Sequence, residues 1–177
     1  MKILSSVFVM IALFSFGSAA ANIPQELSLS GTGEIRYLGF IKVYEATLFA
    51  PPDAMKNDIL ADDCSRCLKL DYAVDLSVDN FIEAGETVLK KQQSETILAI
   101  IKPQLDLLHQ NYRDVKKNDS YILCYDAVEQ QTSLNLNGNT LVTIPSSQFA
   151  AVYFGIWLGE ENPIDQGLRS RLLAGLK

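Results

Sequence analysis

Apolar residues in this chain recur every second position in one block and every three to four in the next, and that sequence of blocks then repeats. A period of two belongs to half-buried strands and a period near 3.6 to amphipathic helices. Glu26–Ser30 alternates, and Gly31-Thr32-Gly33 permits a turn. Glu34–Phe40 follows, with Ile35 and Tyr37 on one face and Arg36, Leu38 and Phe40 on the other. Lys42–Ala50 reads as a third strand, stopped by Pro51-Pro52, with Tyr44, Ala46 and Leu48 sharing a face. Leu68, Leu70, Tyr72 and Val74 mark a fourth. The period then lengthens. Ser77 is placed to cap a helix bearing Phe81, Ala84, Val88 and Leu89, and Ser94 to cap one bearing Ile97, Ile101, Leu105 and Leu108. Pro103 predicts a kink or break near Lys102. Strand patterning returns over Ser120–Ala127, and Leu134–Ile144 reads as a hairpin turned at Asn137-Gly138. Phe149, Val152, Tyr153, Ile156 and Trp157, and then Ile164, Leu168, Leu172 and Leu173, mark two closing helices. Strands and helices in separate runs predict an α+β fold, an antiparallel β-sheet with helices packed on one face.

The first 21 residues have a different character. Met1-Lys2 is a short positive start, Ile3–Phe16 carries no charge, and Gly17–Ala21 supplies small residues where a signal peptidase cuts. The apolar run is too short to cross a bilayer comfortably. Residues 1–21 are therefore expected to be a signal peptide, residues 22–177 one domain, and the periplasm its destination, with no stable membrane insertion. A formal net charge of −6 argues against a nucleic-acid binder, which needs a basic footprint to neutralise phosphates. With one His and three Cys, the chain offers little for a metal centre, and its sequence implies no cofactor.

Cys64-Ser65-Arg66-Cys67 has the spacing of a redox motif, but such motifs open a helix, whose N-terminus lowers the thiol pKa. Here it runs into the Leu68–Tyr72 strand. A structural disulfide between Cys64 and Cys67 is the expected use, with a bridge from Cys124 to one of the pair left open. His109, near a helix end, reads as a surface or capping residue, and Trp157, Tyr153 and Phe149 read as core. Arg36 is less easily placed. A cation on an alternating strand needs solvent or an anionic partner, so it is either a salt-bridge residue or an anchor at the mouth of an apolar cleft.

The stretch from Gly31 through Arg36, Gly39-Phe40, Lys42-Val43-Tyr44 and Ala46 to Leu48 resembles the opening strands of the bacterial chalcone isomerase-like family. Leu68–Tyr72, the Asn137-Gly138 turn, Phe149–Gly159, Pro163 and Leu168–Leu173 continue the resemblance in order, over nearly the whole expected domain. It implies an α+β fold with a cleft between sheet and helices. Plant chalcone isomerases close a chalcone to a flavanone with an Arg and a set of hydroxyl and amide side chains. By this resemblance the Arg corresponds to Arg36 and the strand Thr to Tyr44. The helix-start Tyr falls at Phe81, the Asn at Val88 and the last Ser/Thr near Asp165, so most of the polar set is missing. That departure implies a non-catalytic protein similar to the fatty-acid-binding branch of the fold. Arg36 would then anchor a fatty acid or similar amphipathic anion, Tyr44 would assist, and Phe81 and Val88 would line the cleft. The alternatives are an isomerase or intramolecular lyase, with Arg36 as electrophile and Tyr44 as proton donor, and a structural or interaction module with a filled cleft.

Overall fold

The computed structural model describes residues 23–177, so the expected signal peptide lies outside the described residues. Six strands form one open sheet in the order of the chain, every neighbouring pair antiparallel. They are β1 (Ser28–Tyr37), β2 (Ile41–Ala50), β3 (Arg66–Tyr72), β4 (Ser120–Asp126), β5 (Gln131–Leu136) and β6 (Asn139–Pro145). Two helices, α1 (Val78–Gln92) and α2 (Glu95–Asn111), are inserted between β3 and β4, and α3 (Ser147–Leu158) and α4 (Gln166–Leu172) follow β6. Alternation sends Leu48, Leu68, Leu70, Leu123 and Leu134 into a core shared with Leu89, Leu108, Phe149 and Ile156 of the helices. The opposite face carries a smaller cluster of Leu27, Cys67 and Ile122. The α+β class and the antiparallel sheet are as the periodicity predicts.

The helix starts follow the capping chemistry. Ser77 and Asn80 form a reciprocal capping box on α1, and the Ser94 hydroxyl accepts from the Ile97 N–H on α2. At the β5–β6 turn, Asn137 (φ 50°) and Gly138 (φ 85°) take the two positive φ values that a tight hairpin requires.

Gly31 and Gly33 do not turn the chain; β1 runs through them. Their lack of side chains serves close approach instead. A Cβ on Gly31 would collide with the Arg171 carbonyl and lie 2.6 Å from that of Leu172, and one on Gly33 would lie 2.7 Å from the Leu168 side chain. Helix α4 and its exit thus press onto β1, where Ser30 donates its hydroxyl to Leu172 O at 2.8 Å. The turn comes later, at Leu38 (φ 51°) and Gly39 (φ 78°). Helix α2 also continues through Pro103 without a break. Pro103 and Ala99 lie on its exposed side, so the carbonyl deprived of an N–H partner is open to water, while Ile101, Leu105 and Leu108 hold the other side in the core.

The cysteine expectation needs a larger correction. Cys67 bridges Cys124, and Cys64 is a buried free thiol. The reason is register. Cys67 and Cys124 are directly paired residues of β3 and β4, with Cα atoms 4.1 Å apart on the face away from the helices. Cys64 belongs to the core on the other face, so its nearness to Cys67 in sequence does not bring the sulfurs together.

Candidate functional site

Between the sheet and α1 lies a cavity of about 570 Å³. Its floor is the helix-facing side of β2, β3 and β4, its wall Phe81, Ala84 and Gly85 of α1, and its far side Tyr153, Ile156 and Trp157 of α3. A β-bulge shapes the entrance. The β1–β2 register jumps between Ile35↔Tyr44 and Arg36↔Lys42, leaving Val43 as an extra residue. Val43 and Tyr44 therefore both reach the cavity, Ile35 lines it opposite Tyr44, and beyond the bulge Tyr37 and Ile41 line it as well.

The lining is apolar apart from phenols and one amide, that of Asn80, and no charged side chain contributes. Six of the seven tyrosines line it: Tyr37, Tyr44, Tyr72, Tyr112, Tyr121 and Tyr153. Their rings pack edge to face around Tyr72, whose centroid lies 5.6 Å from that of Phe81, 5.8 Å from Tyr44 and 6.1 Å from Tyr121. Phe81 stacks on Tyr112 at 5.4 Å. Most of the hydroxyls have partners. The Trp157 indole N–H donates to the Tyr44 oxygen at 3.1 Å, Tyr112 and Tyr153 share a hydroxyl–hydroxyl bond, and Tyr121 donates to the Arg113 carbonyl at 2.9 Å. No partner for the Tyr72 hydroxyl is found among the described residues.

Burial sets the protonation of this wall. It pushes the phenols of Tyr44 and Tyr153 up to about 12 and those of Tyr72 and Tyr112 well above their ordinary value. At neutral pH each is a neutral hydroxyl, able to donate and accept a hydrogen bond but not to act as a base.

Of the residues singled out in the sequence, Tyr44 and Phe81 are brought together at the cavity. Val88 lies farther along α1, buried in the core but outside the lining. Arg36 stands on the opposite side of β1 from Ile35 and Tyr37, because neighbouring strand residues point to opposite faces. There its Nε meets Glu34 at 2.6 Å, and it borders a shallow polar surface pocket with Glu45, Asp165 and Arg171. His109 is half-buried on α2, stacked 6.3 Å from Tyr112. Tyr72, Tyr112, Tyr121, Tyr153 and Trp157 escaped the sequence reading as site residues. Phenols at core-facing positions of neighbouring strands were the available signal, since a buried hydroxyl always needs an account. Among the described residues no group of three or more His, Cys, Asp or Glu is placed to hold a metal ion, and no helix is long and apolar enough to cross a membrane.

A family model described as chalcone isomerase-like matches residues 14–174. Comparison with curated proteins finds no match. Among solved structures, an Arabidopsis thaliana fatty-acid binding protein superposes with a TM-score of 0.67 at 18% identity, over 86% of this chain and 89% of that one. At that identity the likeness is one of fold.

Proposed function

We propose that this chain, which belongs to the chalcone isomerase-like family, is a non-catalytic binding protein that takes the hydrocarbon chain of a fatty acid or similar amphipathic molecule into the cavity under α1. The observation that carries this reading is the cavity itself. Protein interiors are close-packed, so about 570 Å³ lined by apolar and phenolic side chains is space kept for a guest, within the range of small-molecule sites. The phenols accept a neutral polar atom, but nothing in the lining offsets a buried carboxylate, so the head group stays at the mouth. Arg36 receives no contact in this reading, and the isomerase pairing of Arg36 with Tyr44 lacks the shared space it needs. The similarity in fold to a fatty-acid binding protein supports the same direction. The reading includes export to the periplasm, supported by the positive start and uncharged apolar run of the first 21 residues and by the Cys67–Cys124 disulfide, which persists in oxidising compartments.

The test is a titration of delipidated protein with a fluorescent fatty acid, alongside native mass spectrometry of protein taken directly from cells. Wild type is expected to bind with saturation at one site and to carry an aliphatic guest. Gly85→Phe, which drives a ring into the cavity, is expected to lose at least tenfold in affinity while keeping its fold; Arg36→Ala is expected to bind as wild type. Equal binding by wild type and Gly85→Phe would place the guest elsewhere.

A further inference from the structure

The β1–β2 tip spends apolar surface where folding gains nothing from it. Leu38 is 69% exposed and Phe40 68%, and Tyr37 and Ile41 beside them are also exposed. Leu38 holds a positive φ of 51°, a backbone state that costs a leucine about 1 kcal/mol or more and suits glycine or asparagine. The turn is braced from behind, where the Arg36 guanidinium donates to Phe40 O at 3.2 Å. Behind the apolar residues lies a polar collar in which Arg36 pairs with Glu34, and Lys42 with Glu45 at 2.9 Å and Glu34 at 3.5 Å. Tyr37 and Ile41 belong to the cavity lining as well as to the tip, so one apolar surface runs from Phe40 and Leu38 into the cavity.

We propose that this tip docks into the interfacial layer of a phospholipid bilayer and delivers the cavity's guest directly from it, an inference that rests on the binding function proposed above. The shape favours lipid over protein. A stable protein interface buries roughly 1,200–2,000 Å² with complementary relief, whereas this is a convex wedge of four side chains. A wedge of that size above a polar collar matches shallow insertion to headgroup depth, with Arg36 and Lys42 at the level of the phosphates. The collar balances cations against carboxylates on an acidic protein, so docking draws on apolar insertion and not on anionic lipid.

Two variants test this. Leu38→Gly removes the side chain and relieves the backbone, so it leaves thermal stability equal or higher; Phe40→Ser removes the second exposed apolar group. Wild type is expected to co-float with phosphatidylcholine vesicles, with little added by phosphatidylglycerol. The double variant is expected to remain in solution. Transfer of a fluorescent fatty acid from donor vesicles to protein is expected to slow about tenfold or more in the double variant, the scale of withdrawing large apolar side chains from lipid. Affinity for the same probe added from dilute solution should be unchanged. A wild type that does not float and loads from vesicles no faster than the variant overturns the proposal. So does a dimer of wild type that the variant dissolves, which would assign the tip to a second copy, or an equal loss of affinity for the dissolved probe. If wild type fails to bind the dissolved probe, the cavity reading falls, and flotation still decides docking separately.

Discussion

Cys64 and Cys67 are two intervening residues apart in the chain and sit on opposite faces of the sheet, and this fixes their chemistry. Burial raises the Cys64 thiol's pKa, against the pull of the nearby Arg66 guanidinium, so the thiol is unreactive as well as sheltered. Without reductant, a maleimide should leave the native protein unlabelled. After unfolding it should mark a single cysteine that peptide mapping assigns to Cys64; a label on Cys124 would restore the local Cys64–Cys67 bridge. The Cys67–Cys124 bridge closes a loop with a sequence separation of 57, which by chain-entropy arguments stabilises the fold by about 4 kcal/mol. A Cys67→Ala/Cys124→Ala double variant should lose that amount in urea denaturation, and a loss below about 1 kcal/mol would contradict it. The sequence discloses that β3 carries a cysteine on its Lys69/Asp71 face. It does not disclose that Cys124 is the residue opposite, because pairing is a tertiary fact. Arg36 was ambiguous for a related reason: alternation separates it from Ile35 and Tyr37 but does not say which face looks onto the cavity. The same alternation leaves Arg66 wholly buried on the core face, its guanidinium 4.6 Å from the Tyr125 ring centroid and 4.9 Å from that of Phe154. Its donors to the Ala61 and Cys64 carbonyls compensate that burial in part, and burial lowers its pKa to about 10.

At the scale of elements, α1 carries a glycine, Gly85, inside the helix where it walls the cavity. A helix-interior glycine costs about 1 kcal/mol relative to alanine. A Cβ at Gly85 would meet only the Ile156 side chain at 3.8 Å and the Tyr153 hydroxyl at 4.0 Å, both ordinary contacts. Gly85→Ala should therefore stabilise the protein by about 1 kcal/mol and raise its Tm by about 2–4 °C, checked by calorimetry. A drop in Tm would mean that α1 needs the glycine for packing. Element identities were largely legible, because Ser77, Ser94 and Asn137-Gly138 carry their own local chemistry. The β1–β2 hairpin was not. Its glycines suggested a turn at Gly31–Gly33, whereas those positions answer to α4 packing from well over a hundred residues away, and the turn is made partly by a leucine. The bulge at Val43 reverses the facing of Ile41 and Val43, so a strictly alternating reading could not place them in the cavity.

The whole molecule is organised around phenols held neutral, and this predicts its response to alkali. An unfolded tyrosine ionises near pH 10, whereas Tyr44 and Tyr153 do so at about 12 in the fold, and burial holds Tyr72 and Tyr112 well above the ordinary value too. Their contribution to stability is intact below pH 10. It is lost as pH rises from 10 through 12, because the unfolded chain gives up protons that the folded one retains. Tyr44 and Tyr153 each account for about 2–3 kcal/mol by pH 12. Phenolate absorbance should rise in one cooperative step, together with loss of the near-ultraviolet dichroism. A smooth titration near pH 10 with structure intact would show these hydroxyls to be open to water. The segregated blocks of the sequence made the sheet-and-helix plan readable, but an empty volume has no residue of its own, so the cavity had to await the packing. The disulfide gives that plan a mechanical property. Its covalent ring encloses α1 and α2 entirely and is closed by the two strands from which they depart. Strain applied to that insert meets the four ladder pairs from Asp71↔Ser120 to Leu68↔Leu123 first, and the sulfur bridge beyond them sets the point past which β3 and β4 cannot be parted. The floor of the cavity is thus a frame riveted at one point, and fraying of the two strands that starts at the insert must stop there.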